Sequence, residues 1–144
     1  MRIYLDNCCF NRPYDDQLHL RIHLETEAKL QIQYDIRNGS HCLVWSYILD
    51  YENEKNPFEE RAELIFKWRK YAVADISESK DLLSLAKVFL EGGFKKYDSL
   101  HIACALMGNA EYFITTDDGI LRKSNLIEKI KIIDPIGFIK EVLS

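Results

Sequence analysis

The 144-residue chain is 47% hydrophobic and 12% aromatic, which is enough apolar material for one compact core and too little length for two. Its 19 Lys and Arg against 23 Asp and Glu leave a net charge of −4, which argues against holding nucleic acid by bulk positive charge, although a nuclease whose acids bind cations can still be acidic. No apolar run approaches the roughly 20 residues of a membrane span, and Asp6, Asn7, Asn11 and Arg12 interrupt any N-terminal signal sequence, so we expect a cytoplasmic protein and no membrane partner.

Arg2 to Asp6 is a short strand with β-favouring residues, followed by a polar loop through Asn11-Arg12-Pro13. A long helix is expected from about Asp16 to Asn38. Leu20, Leu24, Ala28, Ile32 and Ile36 recur every four residues, and Asn38-Gly39 supplies the stop. His41 to Trp45 forms a second strand, and Ser46 caps a helix from Tyr47 to about Lys55 that Pro57 ends. Phe58 to Tyr71 restarts as one helix with Glu59 and Glu60 in its first turn. Ala72 to Ile76 is a strand. Leu82, Leu83, Ala86, Phe89 and Leu90 mark an amphipathic helix stopped by Gly92-Gly93. Tyr97 to Met107 is a helix leading into a strand at Tyr112, Ile130 to Ile133 is the last strand, and a C-terminal helix follows Asp134-Pro135. Strands alternating with helices imply an α/β fold, a three-layer α/β/α domain spanning residues 1–144 with a mostly parallel central sheet. The four cysteines, Cys8, Cys9, Cys42 and Cys104, form no C-x-x-C pair and read as small buried thiols in a reducing compartment.

Parallel strands deliver the residues after their ends to one edge of the sheet, where ligand sites of open α/β folds lie. Asp6 ends the first strand, and Asp117 and Asp118 follow the fourth. Glu52 sits about a turn and a half into the helix after the second strand, and Asp98 opens the helix before the fourth. Taken singly, each has an ordinary structural use as a loop, cap or turn residue. Taken together, four or five acids in one cleft repel one another and call for a neutralising partner. All-oxygen ligands suit Mg²⁺ or Mn²⁺, and such an ion can activate water for in-line attack on a phosphodiester.

In these residues the chain resembles the PIN-domain nucleases, which include the VapC-type toxins of toxin–antitoxin pairs. The resemblance rests on Tyr4-Leu5-Asp6, Ser46 with Glu52 six residues on, Asp98-Ser99-Leu100-His101-Ile102-Ala103 and Thr115-Thr116-Asp117, in that order along nearly the whole chain. It implies that Asp6, Glu52, Asp98 and Asp117 are catalytic, metal-binding acids, with Thr115, Ser46 and Asn7 bracing them and Asp118 extending the site. It implies Mg²⁺- or Mn²⁺-dependent hydrolysis of RNA, a toxin role, a cognate antitoxin that inserts a basic side chain among the acids, and a homodimer. Asn7 departs from the Thr or Ser common after the first Asp, and Asp50 and Glu54 flank Glu52. Arg12, Arg122 and Lys123 are candidate phosphate contacts, with solvated surface charge as the plainer expectation. His101, one turn after Asp98, reads more readily as a packed histidine, and Trp45 and Trp68 as core.

Single positions count against two other readings. A haloacid-dehalogenase-type phosphatase needs a second Asp at position 8, which is Cys, and a receiver domain needs a lysine after the last strand, where Asp134-Pro135 follows. The alternative that stands is a non-catalytic PIN-like module that binds RNA or protein. Retention of four costly acids weighs against it.

Overall fold

The computed structural model describes residues 1–143. Five parallel strands, β1 (Arg2–Leu5), β2 (Cys42–Ser46), β3 (Ala72–Ile76), β4 (Tyr112–Ile114) and β5 (Lys131–Ile133), form one sheet in the order β3-β2-β1-β4-β5. Eight α-helices among the described residues pack around it: α1 (Asn7–Asn11), α2 (Leu20–Arg37), α3 (Tyr47–Glu54), α4 (Glu59–Phe66), α5 (Lys80–Glu91), α6 (Lys96–Met107), α7 (Asp118–Leu121) and α8 (Pro135–Leu143). The three-layer α/β/α architecture is the one the alternating pattern implies.

The three central strands, β1, β2 and β4, are buried on both faces, so their apolar runs are continuous rather than alternating. Ile3, Tyr4, Leu5, Leu43, Val44, Trp45, Phe113 and Ile114 are all fully enclosed. The expected stop at Gly39 and a further one at Gly108 each have a geometric reason. Gly39 follows α2 at φ +87°, in the left-handed region. Gly108 caps α6 where an added Cβ would meet a Val44 methyl at 2.5 Å, so only glycine lets α6 lie this close to β2.

Three elements differ from their sequence expectation. The loop after β1 begins with α1, because the Asp6 side chain accepts from Asn7 N and starts a helical turn before Pro13. The long helix begins at Leu20 rather than near Asp16, and its expected stripe is divided. Ile32 and Ile36 are buried, but Leu20 and Leu24 are 70% and 46% exposed, and Glu25, Lys29 and Gln33 take the inner face instead. The expected single helix from Phe58 to Tyr71 is α4 followed by a 3-10 turn at Lys67–Tyr71, which turns the chain into β3.

β1 and β4 are neighbours, and the connections run outward from them in opposite directions along the sheet. Their carboxyl ends therefore form the switch point, the crevice in which such sheets place ligands.

Candidate active site

Asp6 leaves β1 at this switch point and is nearly buried. Its carboxylate accepts from Thr115 Oγ1 at 2.8 Å, from Asn7 N at 2.8 Å and from Cys8 Sγ at 3.4 Å. Thr115, fully buried at the end of β4, in turn accepts from Asp117 N at 3.1 Å, so one hydroxyl ties the ends of the two strands together. Asp117 caps α7 by accepting from Ile120 N at 3.1 Å.

Glu52 reaches the same crevice from α3, whose N-cap is the buried Ser46, accepting from Leu49 N. Its neighbours are turned elsewhere: Asp50 accepts from the indole N–H of the fully buried Trp45 at 2.9 Å, and Glu54 is exposed. Helical geometry thus singles out Glu52 from the three acids of this segment.

Glu52 contacts His101 Nε2, which also lies 3.8 Å from Asp6. His101 Nδ1 is 2.6 Å from the Tyr4 hydroxyl, itself 2.6 Å from Ser46 Oγ. Burial works to lower the His101 pKa, but the hydrogen bond to Glu52 and the charges of Asp6, Glu52 and Asp98 outweigh it and hold it above its ordinary value. His101 thus bridges Glu52 on one side and, through the Tyr4 hydroxyl, Ser46 on the other. The spacing Asp-x-x-His placed His101 on the right helix face, but nothing in the sequence announced Tyr4 beyond the rule that a buried tyrosine seeks a partner for its hydroxyl.

Asp98, in the first turn of α6, is half-buried and accepts no hydrogen bond among the described residues. Desolvation first, then the charges of Asp6 and Asp117, push its pKa up to about 6. Asn7 offers a second sign of an absent partner. Its Nδ2 lies 3.5 Å from Glu52 Oε2, while its buried Oδ1 has no donor.

Proteins of known structure place this arrangement in context. Superposition on VapBC2 from Rickettsia felis bound to a DNA fragment from their promoter covers 93% of this chain and 98% of that chain, with a TM-score of 0.56 at 14% identity. VapBC-1 from nontypeable Haemophilus influenzae matches over 94% of this chain and 98% of that chain, with a TM-score of 0.57 at 15% identity. The fold is PIN-like. No protein-family profile and no curated protein matches the sequence.

Within this PIN-like chain the donor chemistry fits a hard cation. The acids are all oxygen donors, and Asp98 and Asn7 Oδ1 both lack partners. Among the described residues, however, no three carboxylate, imidazole or thiol groups stand together as a ready-made metal cage, and His101 engages Glu52.

The remaining candidates have other partners or face solvent. Asp118 is exposed and held by Arg21 through two hydrogen bonds at 2.7 and 2.9 Å, which keeps its carboxyl below the usual range. Arg21 also donates to Thr116 O and approaches the buried Glu25 at 3.5 Å. Arg12 contacts that same Glu25 at 3.0 Å and Asp15 at 3.0 Å. Lys123 donates to Gly93 O and lies over the Phe94 ring, whereas Arg122 is exposed. The sequence did not mark out the chain Arg12–Glu25–Arg21–Asp118. It joins α2 to the segment carrying Asp117.

All four cysteines are free, and Cys8 Sγ sits 3.4 Å from Thr115 Oγ1 beside the crevice. No helix of the described residues is long and apolar enough to cross a membrane.

Proposed function

We propose that the chain is a Mg²⁺- or Mn²⁺-dependent endoribonuclease. The observation that carries this reading is Asp98, a half-buried carboxylate without a donor, pushed up to about 6 beside Asp6 and Asp117 at the sheet's switch point. Asp6, Glu52, Asp98 and Asp117 would hold the cation, which when bound supplies Lewis-acid activation of water and offsets charge on the attacked phosphodiester. Thr115 fixes the Asp6 carboxylate, and Ser46, Tyr4 and His101 form the line that orients Glu52. Asn7 links the two acids, its backbone N–H donating to Asp6 and its Nδ2 lying 3.5 Å from Glu52.

The likeness to VapBC complexes supports a protein partner of antitoxin type that presents a basic side chain to the acids, and a toxin role for this chain. The homodimer belongs to the same reading.

The test is cleavage of a labelled single-stranded RNA pool by the purified protein with Mn²⁺, Mg²⁺ or EDTA, beside Asp98→Asn. Metal-dependent cutting should fall by roughly 10²–10⁴-fold in the variant, the range for removing a group at the reacting centre. Equal cutting by both proteins would assign the activity to a contaminant.

A non-catalytic RNA- or protein-binding module is the second reading, favoured by one observation: Glu52 is already engaged by the buried His101. Melting temperature separates the two. Millimolar Mn²⁺ should raise it if the acids bind the ion in the native state. No shift, together with no cutting, selects the binding module.

A further inference from the structure

A second charged site lies away from the acids. A cavity of about 330 Å³ opens between the first turns after β1, the inner face of α2 and the 3-10 turn before β3. That volume is at the small end of the roughly 300–1,000 Å³ typical of ligand pockets. Four cations line it, Lys29, Arg37, Lys67 and Lys70, and no Asp or Glu does. In a chain where acids outnumber bases by 23 to 19, that segregation needs a reason.

Two buried groups supply it. Lys29 is only 5% exposed, and its ammonium makes no hydrogen bond or ion pair among the described residues. Its one polar contact is with the face of the Phe10 ring, 5.8 Å from the centroid. Burial lowers its pKa to about 8, the mark of an ammonium stripped of water without a counter-charge. Gln33, one turn further along α2 and equally buried, has an amide nitrogen with no acceptor. Arg37 follows after another turn, and its guanidinium lies 5.0 Å from the Trp68 ring. Three donors on one helical stripe thus face a wall of Phe10, Trp68 and Tyr71.

Unmet donors of positive charge ask for an anion with several acceptor oxygens, which a phosphate provides and one carboxylate provides less well. Aromatic side chains interleaved with cations are the means by which proteins stack a base while holding its phosphate. We propose that this cavity binds a nucleotide, its phosphate on Lys29, Gln33 and Arg37 and its base against Trp68 and Tyr71. The nucleotide is either a free one or a unit of an RNA strand. None of the four acids of the switch-point crevice borders the cavity, so the assignment stands independently of the nuclease reading.

Trp68 is the natural reporter, because Trp45 is fully buried and bonded to Asp50. Titrating the full chain in EDTA with adenosine 5′-monophosphate should quench tryptophan fluorescence saturably, and Trp68→Phe should abolish the signal. Adenosine and inorganic phosphate should each bind at least roughly tenfold more weakly, as should the monophosphate to Lys29→Met, while Asp98→Asn binds it normally. Lys70→Glu, an exposed change that leaves the core intact, should weaken binding in the same direction.

Adenosine binding as tightly as its monophosphate, or an unchanged affinity in Lys29→Met, would overturn the assignment. So would an Asp-rich hexapeptide binding more tightly than the nucleotide, which would make the cavity a docking surface for a protein. A 5′-phosphorylated hexaadenylate that binds more tightly than the monophosphate identifies an RNA strand as the source, and equal affinity identifies the free nucleotide. Both support the nucleotide assignment. No nucleotide binding by the unmodified chain together with metal-dependent RNA cleavage removes this proposal alone, and the reverse result removes only the nuclease reading.

Discussion

The two halves of α2 treat buried charge in opposite ways. Near its start, Glu25 is 1% exposed and shared between Arg12 and Arg21, so the burial of one carboxylate is offset by two guanidinium groups. One turn later, Lys29 is almost as deeply buried and forms no ion pair among the described residues. The first arrangement is structural cement, since every charge has a partner inside the chain. The second leaves its partner to be supplied from outside, and so does the half-buried Asp98 at the switch point. An uncompensated charge in a well-packed fold therefore separates sites that hold the protein together from sites that hold something else.

Removing the compensation at Glu25 should have the largest effect on stability. Glu25→Gln leaves two arginines facing a neutral amide and should lower stability by about 3 kcal/mol, the lower end for breaking a buried pair because both arginines reach solvent. Urea denaturation at pH 7 measures it, and a loss below about 1 kcal/mol would place Glu25 among ordinary surface ion pairs.

Lys29→Met should do the reverse and raise stability by about 2 kcal/mol at pH 7, after allowing for the lost contact with Phe10. The sign follows from the protons. With a folded value near 8 and the usual 10.5 when unfolded, the unfolded chain binds more protons between those limits, so wild-type stability rises with pH there. The advantage of the methionine variant should accordingly be full below pH 8 and fade toward pH 10.5. A destabilised variant would mean that Lys29 has an internal partner.

The smallest effect belongs to Asp98→Asn. The folded carboxyl titrates near 6 against an ordinary 3.8, so its charge disfavours the native state above pH 6 and not below about pH 4. Because the group is half-exposed, solvent screening reduces the expected gain to about 1 kcal/mol at pH 7. Thermal melts at pH 4 and pH 7 should show the gain only at the higher pH. Asp6 is the poorer place for this test, since its carboxylate accepts hydrogen bonds from Asn7, Cys8 and Thr115 that an amide would disturb.

The sequence by itself determined the architecture and the address of the acids. Continuous apolar runs at Ile3, Leu43 and Phe113 require strands buried on both faces. Alternation with helices makes those strands parallel, and parallel strands gather the residues after their ends, Asp6 and Thr115 to Asp117, at one edge. Local chemistry was equally legible where a cap decides the matter, as at Ser46 before α3.

What the sequence did not determine were the contacts made across the sheet and the faces that polar residues turn inward. The period-four run of Leu20, Leu24, Ala28, Ile32 and Ile36 reads as one apolar stripe. Only the packing of α2 shows that Glu25, Lys29 and Gln33 share its buried side. His101 and Tyr4 lie 97 positions apart and meet because α6 packs on the sheet, so no local pattern could reveal that Glu52 is met by an imidazole. Periodicity reports which residues can be buried, whereas the charges on neighbouring elements decide which of them are compensated. That second question is settled only when the chain folds.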